Sequence, residues 1–141
     1  MKFKSLKRRY IGFTLVEIVV VVAIVSILAA IAIPMMLRAK HNANESAAHK
    51  SLQAICSACS SYFGEHNIYP DSLEQLGSET PPYISEELAA GTKDGYAFTY
   101  EPTNGNFAFT CIAEPQMQNI TGTKTFIIDQ TGIITEEEQE E

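Results

Sequence analysis

Glu17 lies inside a run of residues, 13–37, that is otherwise uncharged and almost wholly apolar; Phe13 is its first residue and Gly12 stands just before it. An acidic side chain at the centre of a membrane helix costs on the order of 3 kcal/mol, so a chain keeps one there mainly when it has a partner. The peptide bond between Gly12 and Phe13 is where a protease would end a basic leader. A cut there creates an ammonium group at Phe13, close to the carboxylate. The chemistry these residues suggest is processing followed by ion pairing between copies. A plainer role is also open: Glu17 favours a helix N-terminus, or pairs with its own chain's amine.

A second set of reactive types is Cys56 and Cys59, separated by two residues, with Cys111 far downstream. A zinc site needs about four ligands, and only Cys111, His41, His49 and His66 are placed to supplement the pair. Ser60 rather than histidine follows Cys59, so no c-type haem signature is present. The cysteines fall on an apolar helix face and an apolar strand face. They read as small buried hydrophobes, or as a disulfide from Cys111 to Cys59 or Cys56 tying sheet to helix. No metal or cofactor is expected. No nucleophile, base and oxyanion donor come together, and no glycine loop is built to cradle a phosphate, so an enzyme is not expected.

These residues need elements to hold them. Residues 13–37 make 25 positions, a helix of roughly 37 Å against a hydrocarbon core of ~30 Å. Five of the ten basic residues precede Gly12, whereas all seventeen acidic residues follow it. By the positive-inside rule the leader stays in the cytoplasm and the body lies across the membrane, single-pass. An ordinary signal peptide cut near Ala29, Ala30 or Ala32 is the competing reading, but its apolar core is usually shorter and free of acid. Removing residues 1–12 shifts the net charge from −7 to −12, five basic against seventeen acidic residues. A chain so acidic is a poor ligand for nucleic acid phosphates.

The helix is expected to continue to about residue 65, kinked near Pro34. From residue 38 its pattern turns amphipathic, with Ala48, Leu52, Ile55, Cys56, Cys59, Tyr62 and Phe63 on one face and Asn44, Lys50, Gln53, Ser57 and Ser61 on the other. Residues 66–95 form a connector with a short apolar anchor at Leu73 and Leu76. From Gly95 the period becomes two: Tyr96, Phe98 and Tyr100, then Phe107, Phe109 and Cys111, separated by Asn104-Gly105, a strong hairpin signal. Strands at residues 125–128 and 133–135 complete the pattern, and residues 136–141 read as a solvated acidic tail. The fold class is α+β: a long N-terminal helix, half transmembrane and half amphipathic, packed on an antiparallel sheet of three or four strands. The corresponding divisions are 1–12 leader, 13–37 membrane and assembly helix, 38–65 amphipathic half, and 66–141 head.

Gly12-Phe13-Thr14-Leu15-Val16-Glu17, with the basic leader before it and the apolar helix after it, resembles the start of a type IV prepilin. Pro34, 22 residues on with Phe13 counted first, fits the same pattern. That superfamily includes type IV pilins and the pseudopilins of type II secretion systems, and the match is specific over residues 7–38. The resemblance implies cleavage between Gly12 and Phe13 by a prepilin peptidase, N-methylation of Phe13, and pairing of Glu17 with the Phe13 amine of a neighbouring subunit. It implies a homopolymer that also includes related pilin subunits, extracted from the bilayer through a membrane platform protein and a separate ATPase. Localisation would be the bacterial inner membrane, then a periplasmic or cell-surface filament. Three functions follow as expectations: structural subunit of a pilus-like filament, pseudopilin driving protein export, or minor tip subunit with a ligand-binding head.

Overall fold

The computed structural model describes residues 12–138; the leader 1–11 and residues 139–141 lie outside the described residues. Its elements are α1 (Leu15–His66), α2 (Leu73–Ser78), α3 (Glu86–Ala89), β1 (Thr92–Lys93), β2 (Tyr96–Thr103), β3 (Ala108–Pro115), β4 (Lys124–Asp129) and β5 (Ile134–Glu138). The chain divides into two units, one ending at Met36 and the other beginning at Leu37. In the first, none of the described side chains is buried. Helix α1 runs unbroken through Pro34. Asn67, with φ of 60°, ends α1 in the left-handed conformation that asparagine tolerates.

The second unit is built on a five-stranded antiparallel sheet in the order β1-β2-β3-β4-β5. Ala48, Leu52, Ile55, Cys59 and Tyr62 recur every three or four residues and so share one face of α1. They meet Tyr96, Phe98, Phe109, Cys111, Ala113, Phe126 and Ile128, the inward positions of β2, β3 and β4, in a single core. Leu73, Leu76, Ile84 and Leu88 close its side. Helix stripe and strand alternation bury each other because neither has another apolar surface to cover it.

The sheet has five strands, not three or four. The extra one, β1, pairs Thr92 with Ala97 and Lys93 with Tyr96 across a two-residue turn at Asp94 and Gly95, whose φ values are 50° and 80°. Asp-Gly is itself a hairpin signal of the same strength as Asn104-Gly105. β5 also runs further than expected. It takes in Glu136, Glu137 and Glu138, opposite Phe126, Thr125 and Lys124. As an edge strand it holds the Glu136 and Glu137 side chains in water while its backbone completes the ladder. Lys124 bridges to Glu136 at 2.8 Å.

Two side chains sit elsewhere than their residue type suggests. Phe107 falls in the hairpin loop and is 61% exposed, not in the core with Phe109. Asn44 belongs to the inward stripe, four residues before Ala48, and its Nδ2 donates to the Thr121 carbonyl at 2.7 Å. Next to it, Glu45 accepts from Thr123 N at 3.1 Å and Thr123 Oγ1 at 2.9 Å. These polar contacts clamp the β3–β4 loop to the helix. Gly122 lets that loop close: a Cβ there would lie 2.1 Å from the hydroxyl of Tyr96, which is fully buried and donates to the Lys124 carbonyl at 2.9 Å. Gly122→Ala should therefore destabilise the head by about 2 kcal/mol and lower its melting midpoint by roughly 10 °C. Near-ultraviolet circular dichroism of the detergent-solubilised chain measures this, and an unchanged midpoint would refute the close approach.

Candidate functional site

The candidate site is the segment from Gly12 to Glu17, at the head of the unburied apolar stretch of α1 that runs to Leu37. Thr14 is the residue before α1, and Glu17 is three positions further on. Glu17 Oε2 accepts from the Thr14 backbone N–H at 2.9 Å and from Thr14 Oγ1 at 2.8 Å, while Thr14 Oγ1 accepts from the Glu17 N–H at 3.2 Å. This reciprocal arrangement is a capping box, which satisfies backbone donors that the first turn leaves without carbonyl partners. The carboxylate is thereby held at the N-terminal edge of the helix, where the helix dipole also favours negative charge. The modest role foreseen for Glu17, supporting the helix start, is present in the structure.

Gly12 has no structural demand placed on it. A Cβ built there meets nothing within 4 Å among the described residues, and its φ is not in the left-handed region. Phe13 beside it is 80% exposed. The bond between them is accessible, and α1 does not begin until Leu15. Beyond the site, α1 is long and apolar enough to cross a membrane. Its apolar side chains from Leu15 through Leu37 present themselves on all sides, so lipid or other helices must cover them.

In the head, the cysteines are free thiols. Cys59 and Cys111 are fully buried, and burial pushes both up to about 12. Cys56 is half-buried, also raised by burial, with its Sγ 3.9 Å from the Asp129 carbonyl. Thiols so strongly protonated are poor nucleophiles and poor metal ligands. Among the described residues no three His, Cys, Asp or Glu side chains gather where they would hold one metal ion. Two of the histidines contact aromatic rings. His49 meets the Phe126 ring edge-on at 6.1 Å, and His66 stacks on Tyr62 at 4.1 Å.

Comparison with known proteins bears first on the N-terminal segment. Residues 7–33 match the prokaryotic N-terminal methylation motif. The chain is 39% identical over 77 residues to the type IV major pilin protein PilA of Myxococcus xanthus, covering 55% of this chain and 35% of that one. It is 33% identical over 91 residues to the type II secretion system core protein G of Pseudomonas aeruginosa, covering 64% of each. A type IV pilin structure from Shewanella oneidensis superposes with a TM-score of 0.48 at 21% identity, over 67% of this chain and 89% of that one. The matched regions span between about a third and two thirds of the curated relatives' length. The chain carries the prepilin-type methylation motif and is a homologue of type IV pilins and of type II secretion protein G.

Proposed function

We propose that this chain is a structural subunit of a type IV pilus-like filament, cleaved between Gly12 and Phe13 and polymerised through its N-terminal helix. The observation that carries the reading is Glu17. It is a carboxylate anchored at the first turn of α1, whose apolar side chains from Leu15 through Leu37 are unburied, four residues from the position at which cleavage would create an amine. In lipid the pair is favourable only when complete, so a neighbour's Phe13 ammonium docking on Glu17 sets the axial step between subunits. Cleavage removes five positive charges and exposes the complementary one where the acid waits. The subunit is anchored in the inner membrane with residues 1–12 cytoplasmic and the head outside. A prepilin peptidase, a platform protein and a separate ATPase act on it.

The similarity to secretion protein G supports a second reading, a pseudopilin whose short filament drives protein export. Deleting the gene separates the two. For a pilus subunit, filaments sheared from the cell surface disappear while exoprotein secretion is unchanged; for a pseudopilin the losses are reversed.

A further inference from the structure

We propose that the turn Met117–Ile120, in the β3–β4 loop, rests in the headgroup layer of a phospholipid bilayer while the subunit is anchored. The proposal rests on the membrane-anchoring part of the reading above and adds where the head touches lipid. Met117 and Ile120 are 55% and 49% exposed, although the loop around them is closely built. The Ile120 and Thr121 N–H groups donate to the Met117 carbonyl at 3.1 and 2.8 Å. Met117 N–H donates to Thr121 Oγ1 at 3.1 Å, and Asn119 N–H donates to the Gly122 carbonyl at 3.0 Å. The stems are fixed too: Gln116 N–H donates to the Gly95 carbonyl at 2.9 Å, and Asn44 holds the Thr121 carbonyl. A turn so fully bonded holds its two apolar side chains outward.

The place of the turn in the head says what covers it. β4 runs in the same sense as α1 beside it, since Thr123 is bonded to Glu45 before its start and the Asp129 carbonyl meets Cys56 at its end. The β3–β4 loop therefore lies beyond the sheet on the side of the lower-numbered α1 residues. On that side the apolar run ends, at Leu37. Asn44, which grips the loop, is seven residues on, about 10 Å along a helix. The headgroup layer fills roughly 5–8 Å of that distance on each side of the hydrocarbon core. The remainder is within reach of one or two residues of chain, at ~3.5 Å each.

Charge agrees with that placement. Residues 115–123 carry no charged side chain, and residues 37–44 carry Arg38 and Lys40 with no carboxylate before Glu45. Cations beside an apolar tip suit lipid phosphates and the acyl boundary beneath them. The carboxylates at that end lie outside the turn. Glu45 accepts from Thr123, Glu136 and Glu137 stand on β5 with the first paired to Lys124, and Asp94 and Glu114 belong to the β1–β2 turn and to β3. A second copy is the poorer cover: residues 37–141 hold sixteen acidic and five basic side chains, so free heads repel one another.

The sequence contains no tryptophan, so a single introduced indole reports alone. The full chain carrying Ile120→Trp, Met117→Trp or Phe107→Trp is reconstituted in vesicles of phosphatidylethanolamine and phosphatidylglycerol, with and without brominated acyl chains. Phe107, 61% exposed in the β2–β3 turn at the other end of the sheet, is the reference position. Brominated lipid should quench Ile120→Trp and Met117→Trp at least about threefold more than Phe107→Trp, because only the first two reach the acyl boundary. If all three are quenched alike, the proposal is overturned. It is equally overturned if bromine leaves Ile120→Trp unchanged while its emission shifts with the ratio of chain to lipid, since a second copy is then the cover. A chain that alkaline carbonate strips from the vesicles would instead remove the anchoring on which the proposal stands.

Discussion

Glu17→Gln should insert into the membrane, be processed normally, and fail to enter filaments. The substitution is chosen because the structure gives Glu17 a second occupation. Its carboxylate closes a capping box with Thr14, and a glutamine side-chain oxygen can accept the same two bonds. Losing the cap altogether, as in Glu17→Ala, would cost the first turn about 1 kcal/mol. Losing one member of a desolvated ion pair costs on the order of 3–5 kcal/mol, a drop of a hundredfold or more in incorporation. If the charge matters, glutamine and alanine fail alike. If only the cap matters, glutamine assembles normally and alanine is mildly impaired. Quantifying each variant in sheared filaments against the membrane fraction distinguishes the two.

Gly12→Val carries the second large effect, and here the structure rules out the dull explanation in advance. Among the described residues a Cβ at position 12 meets no atom within 4 Å, and the backbone there does not need glycine. Folding of the head and insertion of α1 should be unchanged. A peptidase that reads a side-chain-free residue before the cut would be obstructed, and displacement of a scissile bond by about 1 Å can cost roughly a hundredfold in rate. The expected result is accumulation of the uncut chain, heavier by residues 1–12, with no filaments. Normal processing of this variant would mean that the cut lies elsewhere.

The long helix and the three main strands could be read from spacing alone, because a buried stripe at 48, 52, 55, 59 and 62 and alternating aromatics from Tyr96 are strong periodic signals. Elsewhere position in the fold overrides what residue type suggests. Asn44 lies on the same stripe as Ala48 and Leu52, yet its polarity sent it to the solvent face; only the β3–β4 loop folding over it shows what it bonds. Asp94-Gly95 held the turn that makes β1, but a two-residue strand leaves no alternation to notice. Glu136–Glu138 read as tail because strand edges tolerate charge that a strand interior would not. At the N-terminus the motif is plain in the sequence, and the three-residue spacing of Thr14 and Glu17 is the signal of the capping box.

The most direct test of the account is intact mass and N-terminal sequencing of the chain recovered from sheared filaments. The account predicts a polypeptide that begins at Phe13 and is heavier by a single methyl group than the unmodified cleaved chain. A polypeptide that keeps residues 1–12, or one that starts near Ile33 after an ordinary signal-peptide cut, would contradict it.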